Sequence, residues 1–433
     1  MNGSAFVCMA TSKPTLPRLV YADPQGQIYD HPTLHMLCRK GHEILPPRPD
    51  DCIPLPSGSD LFLLPDRRAL GFDKDRGTVV ETEGMPVAAF VCPGYTVKAL
   101  AAYAAEDTAC PLPLFAYGAV GFAKGQFYLC AQQVDTDPRQ DFSNISAKRI
   151  HRGAHHLLEN FPHNRLLQHL SHCALTYGCP AAKNLTLGRY EAPLPTAQAC
   201  NAACVGCISK QDENSGFPAT QERIKFRPTL EEITEIMHHH AGQEKRPIFS
   251  FGQGCEGEPL TETELLRDAV CAFRKQGGQG TVNINTNASR PASIPDLAQA
   301  GLSSVRVSIN SAREEAYLAY HRPLSYSFAD VVDSILAAKK HFLFVSLNFL
   351  FFPGISDTER EWHALSELIH RTGIDFIQWR NLNLDPELYL SLSPPVDSPA
   401  MGLNNLLRRL KKDFPQVGHG YFNPFLPQTT DHP

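Results

Sequence analysis

The chain has 433 residues, 42% of them apolar and 20% charged, an ordinary globular balance in a length that suits roughly two or three domains. Forty Lys and Arg against 45 Asp and Glu leave a net charge of −5, so nothing draws the chain generally to nucleic acid, which is not an expected partner. No apolar run reaches the ~18 residues of a spanning helix, and MNGSAFVCMATSKPTLPR lacks the charged start and apolar stretch of an export signal. A cytoplasmic protein without a membrane partner is therefore expected. Thirteen cysteines, an odd number in a long chain, suit reduced thiols and metal binding better than a disulfide framework.

Residues 1–146 carry short apolar runs between turn residues, such as Asp60–Leu64, Val87–Val91 and Gln126–Cys130, and predict a separate β-rich domain. Residues 147–186 predict a helical connector, with Leu157, Leu158, Leu166, Leu167 and Leu170 largely at helical spacing and Pro162 dividing it. From 187 to 385 strands and helices alternate. The expected strands are Leu194–Ala199, Pro247–Phe251, Thr281–Thr286, Ser304–Ile309, Leu343–Phe351 and Phe376–Asn381. Capping boxes at Thr229–Glu232 and Thr261–Glu264 open two of the helices between them; the others span 292–300, 327–341 and 357–372. Parallel strands need crossovers, so this is an α/β unit, either an open sheet or a partial barrel, with its chemistry at the carboxyl ends of the strands. Residues 386–433 are expected to be a tail, and Arg408–Lys412 within it a solvated helix face.

The strongest local signal is Cys200-Asn-Ala-Ala-Cys204-Val-Gly-Cys207. Three thiolates in eight residues can surround one small metal centre, and spacing alone allows zinc or iron–sulfur. Structural zinc normally takes four protein ligands, and no neat second cysteine pair follows. The second signal is Gly252-Gln-Gly254-Cys255-Glu256-Gly257-Glu258-Pro259, between an expected strand and a helix.

Together these resemble the radical S-adenosylmethionine (radical SAM) superfamily. The resemblance implies a partial (β/α)6 TIM-like barrel, preceded here by the β-rich domain. It implies a [4Fe–4S] cluster on Cys200, Cys204 and Cys207, whose open iron binds S-adenosylmethionine and cleaves it to a 5′-deoxyadenosyl radical that abstracts hydrogen from a substrate. Gly257, Glu258 and Pro259 match the family's Gly-Gly-Glu-Pro-like motif, which meets the methionine amino group, with Glu256 in place of the usual first glycine. Ser308, then Asn285 and Asn310, are the expected contacts to ribose and carboxylate, beside Thr286 and Asn287. Phe352–Asp357 resembles the adenine-side loop, and Arg380 and Asn381 are placed facing cofactor or substrate.

A one-electron donor such as flavodoxin or ferredoxin is implied, and the separate N-terminal module suggests a peptide or protein substrate. Cys255, inside the motif loop, is the candidate catalytic thiol, as hydrogen donor, methyl carrier or ligand; a small semi-buried residue is the plainer reading. It points to the alternative of a radical RNA-modifying or methylating enzyme. The alternative from another class is a non-catalytic zinc-binding interaction protein. Cys173 and Cys179 are expected to pack helices, with a second metal as the other reading, and His238–His240 to lie on a solvated helix face. No cysteine follows Cys271 and no Asp-x-His-x-x-Gly stretch occurs, so C-terminal auxiliary clusters and the common cobalamin-binding domain are not expected.

Overall fold

The computed structural model describes residues 16–393 and 398–427. Most of the stretch judged not to be an export signal lies outside them. No helix among the described residues is long and apolar enough to cross a membrane.

The N-terminal region forms one 14-stranded antiparallel sheet, from Arg18–Ala22 to Gln126–Gln133. Its strands include Asp60–Leu63 and Met85–Phe90, close to where the apolar runs place them. Three helices follow: α1 (Ala147–Asn160), α2 (Arg165–Leu175) and α3 (Pro180–Thr186). Asn164 caps α2 by accepting from Leu167 N at 2.9 Å. Leu157, Leu166, Leu167 and Leu170 are buried in the same core as the second sheet, so the connector is part of that unit.

The second sheet is parallel and runs in chain order: β1 (Glu191–Pro193), β2 (Ile248–Phe251), β3 (Thr281–Thr286), β4 (Ser304–Ile309), β5 (Phe344–Phe351), β6 (Phe376–Asn381) and β7 (Gly418–Gly420). The crossovers carry α4 (Leu230–Gln243), α5 (Thr263–Lys275), α6 (Ile294–Ala300), α7 (Glu314–His321), α8 (Phe328–Lys340) and α9 (Glu359–Thr372). The last crossover holds α10 (Pro386–Leu392) and α11 (Leu403–Asp413). In β4 the side chains alternate: Val305, Val307 and Ile309 are buried, whereas Arg306 and Ser308 are partly exposed on the opposite face. Ser308 is in register with Asn348, and Asn348 with Gln378, giving that face of the sheet a polar row.

Four expectations need correction. The first strand is Glu191–Pro193, not Leu194–Ala199. The segment after 385 is no tail, because α11 buries Leu403, Leu406 and Leu410 and β7 pairs with β6. The Thr261 capping box does not form; α5 is entered through a 3-10 turn, Pro259–Glu262, whose first N–H groups are met by Glu258. His240 is fully buried in α4, with Nε2 3.3 Å from Tyr190 O, while His238 and His239 pack on Phe273 and Phe161. Apolar packing, not solvation, accounts for that triplet. The capping box at Thr229 and Glu232 is present as expected.

The two sheets share an apolar cluster in which Val97, Leu114 and Leu129 meet Phe352, Leu382 and Tyr389. The N-terminal sheet sits at the carboxyl ends of β5 and β6: Gly41 N donates to Pro353 O at 2.8 Å, and Val97 N to Asn381 Oδ1 at 2.9 Å. Asn381 and the Phe352–Asp357 loop thus meet the N-terminal region. At the other end of the sheet, Asn423 accepts from Gln378 Nε2 at 2.7 Å, and Leu426 N donates to Thr281 Oγ1 at 2.7 Å.

Candidate functional site

After β1 the chain runs without regular structure to the three cysteines. It is held there chiefly by one carboxylate. Glu256 is 4% exposed and accepts from Thr196 N at 2.7 Å, Ala197 N at 2.9 Å, Gly252 N at 2.6 Å and Gln253 N at 2.8 Å. Burial pushes its carboxyl up to about 7 against the pull of these donors. The residue that departs from the family's glycine therefore fastens the β2 loop to the segment leading into Cys200. In Glu256→Gln the amide nitrogen would face N–H donors. We expect a loss of ~2–4 kcal/mol in urea unfolding, and a change below ~0.5 kcal/mol would show that the carboxylate holds nothing.

The remainder of the motif closes on the same segment. Gly257 N donates to Ala197 O at 2.7 Å and Glu258 N to Ala199 O at 2.9 Å. The Glu258 carboxylate accepts from Asn287 N at 2.8 Å, Leu260 N at 3.0 Å and the Thr286 hydroxyl, and burial raises it to about 7. Asn287 Nδ2 donates to Asn201 Oδ1 at 2.8 Å, which ties the end of β3 to the cysteine loop. Pro259 opens the 3-10 turn.

Cys200, Cys204 and Cys207 line one cavity of about 580 Å³, together with Arg223 and Arg322. Cys207 N donates to Cys204 O at 3.1 Å, and the loop is pinned to α7 by Val205 N to Tyr320 O at 3.0 Å. Burial raises the Cys200 and Cys204 thiols, the neighbouring thiols adding to it at Cys204. Two groups with no motif signal stand beside the sulfurs. Arg223 Nη2 lies 3.5 Å from Cys207 Sγ and its Nε donates to Ser209 Oγ at 3.1 Å. His321 Nδ1 lies 3.5 Å from Cys204 Sγ, and its ring stacks on Tyr317 with centroids 4.3 Å apart. Burial lowers His321 to about 3, so its imidazole is neutral.

The remaining expected contacts divide. Asn285 is buried; its Oδ1 accepts from Asn283 Nδ2 at 2.7 Å and its Nδ2 has no partner. Ser308 lies half-buried, accepting from Asn348 Nδ2 at 3.3 Å. Asn310 directs its Nδ2 to Ala316 O at 3.1 Å and Tyr389 Oη at 3.3 Å, turned to the protein. Cys255 is 3% exposed and packs with Cys173 and Ala182 away from the three-cysteine cavity. Its hydrogen bond holds the Cys173 thiol below the usual range, with His169 adding to it, while Cys255 itself is raised.

Among the described residues, only His169, Cys173 and Cys255 bring three metal-ligand atoms within 4.8 Å of one another. The loop sulfurs are spread wider. A cubane offers each thiolate its own iron and so spaces its ligands further apart than one tetrahedral ion does. The loop thus fits the cluster better than zinc, and the orphaned Asn285 donor suits an acceptor-rich ligand beside it.

Residues 194–365 match the profile of the radical SAM superfamily. This chain carries a radical SAM domain. That domain makes it an enzyme whose cofactors are a [4Fe–4S] cluster and S-adenosylmethionine. Curated protein sequences give no match. Among solved structures, HydG, a maturase of the [FeFe]-hydrogenase, is similar at 14% identity and TM-score 0.37, over 64% of this chain and 67% of that one. The anSMEcpe structure with bound AdoMet is similar at 15% and 0.39, over 53% and 64%. Streptococcus suis SuiB, bound to precursor peptide SuiA, is similar at 10% and 0.39, over 59% and 53%. The radical SAM chain spans between about half and two thirds of the length of these three.

Proposed function

We propose that Cys200, Cys204 and Cys207 hold three irons of the cluster and that the enzyme abstracts hydrogen from a peptide or protein substrate, drawing its electron from a flavodoxin- or ferredoxin-like donor. The observation that carries the cluster assignment is the docking of Gly257 and Glu258 onto Ala197 and Ala199, next to Cys200, with all three thiols on one cavity. When bound, cluster and S-adenosylmethionine together supply a one-electron cleavage that yields a hydrogen-abstracting adenosyl group.

The chain's own residues prepare for this in three ways. Arg223 sets a cation beside Cys207 and neutral His321 sits beside Cys204, contacts of the kind that tune a cluster through its sulfurs. Asn285 and Ser308 put polar groups at the cofactor side. The N-terminal sheet walls the carboxyl ends of β5 and β6, a rim where a peptide segment would enter. Cys255 groups with His169 and Cys173 and is not among the residues lining the three-cysteine cavity, which favours hydrogen abstraction over the RNA-modifying or methylating alternative.

The test is anaerobic incubation of the reconstituted chain with S-adenosylmethionine and dithionite. 5′-Deoxyadenosine should form, and Cys200→Ala, Cys204→Ala and Cys207→Ala together should remove both iron and product. Stoichiometric zinc with no iron after reconstitution would overturn the assignment. Mass spectrometry of peptides incubated with the enzyme then addresses the substrate.

A further inference from the structure

His169 and Cys173 lie one turn apart on α2, so they share a face. That face is turned to the β2 loop, where Cys255 completes the set of three donors within 4.8 Å. His169 Nε2 stands 3.6 Å from Cys173 Sγ. In a tetrahedral site with Zn–N of about 2.0 Å and Zn–S of about 2.3 Å, neighbouring N and S ligands fall roughly 3.5 Å apart and two sulfurs roughly 3.8 Å. The His169–Cys173 spacing already suits a single ion, and the Cys255 sulfur lies within 4.8 Å of both partners. Cys173 and Cys255 are buried, while His169 lies half-buried and lines a cavity of about 420 Å³, with Gln168 and His172, that gives an ion a way in.

We propose that His169, Cys173 and Cys255 form a second, mononuclear metal site, separate from the loop cysteines, that takes a zinc-class divalent cation. The donor set, two thiols and an imidazole, is the chemistry zinc selects over the oxygen-loving cations. Both sulfurs bind as thiolates, so whatever thiol proton the pair still holds passes to solvent, and no redox step is involved. Three ligands leave one tetrahedral position, and Cys179, packed against the same cluster, is a third thiol beside it.

The site would join two parts of the chain. α2 belongs to the helices before the barrel, whereas Cys255 lies two residues before Gly257. Cys255 O also accepts from Ile224 N at 2.8 Å, next to Arg223 at Cys207. An ion here would clamp the connector onto the motif loop without touching the three-cysteine cavity.

The test uses the full chain in two forms. Wild-type protein, purified anaerobically, should contain about one zinc per chain beside its iron, and His169→Gln should lose it while keeping the iron. The chain with Cys200, Cys204 and Cys207 replaced by alanine should lose iron, yet still bind about one cobalt(II) with thiolate-to-metal charge-transfer absorption, displaced by zinc. Adding Cys255→Ser or His169→Gln to it should weaken cobalt binding by at least about tenfold. His169 is partly exposed, so its variant keeps the test valid if Cys255→Ser fails to fold. Absence of the absorption, absorption that neither variant changes, or a Cys173–Cys255 disulfide in the anaerobic protein would each overturn the site. None of these outcomes depends on S-adenosylmethionine cleavage, so the site and the proposed function stand or fall separately.

Discussion

Gly257→Ala is expected to leave the radical SAM enzyme folded but nearly without activity. A Cβ on Gly257 would stand 1.9 Å from Ala199 O, 2.5 Å from Ala199 C and 3.2 Å from Cys200 N. All three are backbone atoms, so no side chain can rotate away. The motif loop must retreat, and in doing so it breaks the hydrogen bonds from Gly257 N to Ala197 O and from Glu258 N to Ala199 O. Overpacking of this kind costs ~1–3 kcal/mol, which a chain with this much buried core survives. The chemistry is less tolerant, because displacing reacting groups by ~1 Å costs about a hundredfold in rate. Far-UV circular dichroism should match wild type, with 5′-deoxyadenosine formation down at least about a hundredfold and iron content reduced. Gly242→Ala is the control: nothing lies within 4 Å of its added Cβ, it sits inside α4, and it should be neutral or stabilising by up to ~1 kcal/mol. A Gly257→Ala protein with full iron and wild-type cleavage would show that the close approach has no bearing on the site.

This contact also shows what was legible beforehand. The residue types at 257–259 pointed to a cofactor loop, but the sequence does not say that the glycine is required by the neighbouring backbone. β3, β4 and β6 fall within the expected strands, because the apolar residues that each strand buries are written in its own short segment. β1 was misplaced because Leu194–Ala199 is apolar enough to pair, yet its amides are partly taken by the Glu256 carboxylate, 60 positions away in sequence for Thr196. β7, Gly-His-Gly, has no strand propensity and is recruited by backbone pairing with β6. α7 escaped because its buried face is made of Ala316, two tyrosines and a histidine instead of a long aliphatic stripe. His321 and Arg223 come to the sulfurs from separate elements, a juxtaposition that only the fold creates. The same holds for His169 and Cys255: in the sequence Cys173 stands with Cys179, and only the fold brings His169 and the β2-loop thiol to Cys173.

Arg67→Ala should loosen the N-terminal sheet from the barrel. Arg67 Nη2 meets Asp385 Oδ2 at 3.1 Å, and the two side chains are 2% and 3% exposed. The guanidinium also donates to Pro65 O at 2.9 Å and Cys110 O at 3.0 Å and lies over the Tyr103 ring, with Arg39 over the same ring. Asp385 in turn caps α10 through Glu387 N and Leu388 N and accepts from Leu112 N at 2.8 Å. One carboxylate thus ties a loop of the N-terminal region to the segment after β6. Removing one partner of a buried pair costs ~3–5 kcal/mol, because the other charge is left without its counter-ion. For Arg67→Ala the lower end applies, since Asp385 keeps three N–H donors. Asp385→Ala should cost more, because it uncaps α10 and orphans Leu112 N along with the guanidinium. The double variant should cost less than the sum of the two, since neither charge then remains unpaired. Urea unfolding of the three variants measures this directly, and limited proteolysis should cut Arg67→Ala between the two sheets sooner than wild type. If Arg67→Ala changes stability by less than ~0.5 kcal/mol, the ion pair does not hold the sheets together, and the shared cluster around Phe352 and Tyr389 must do so with the hydrogen bonds at Pro353 and Asn381.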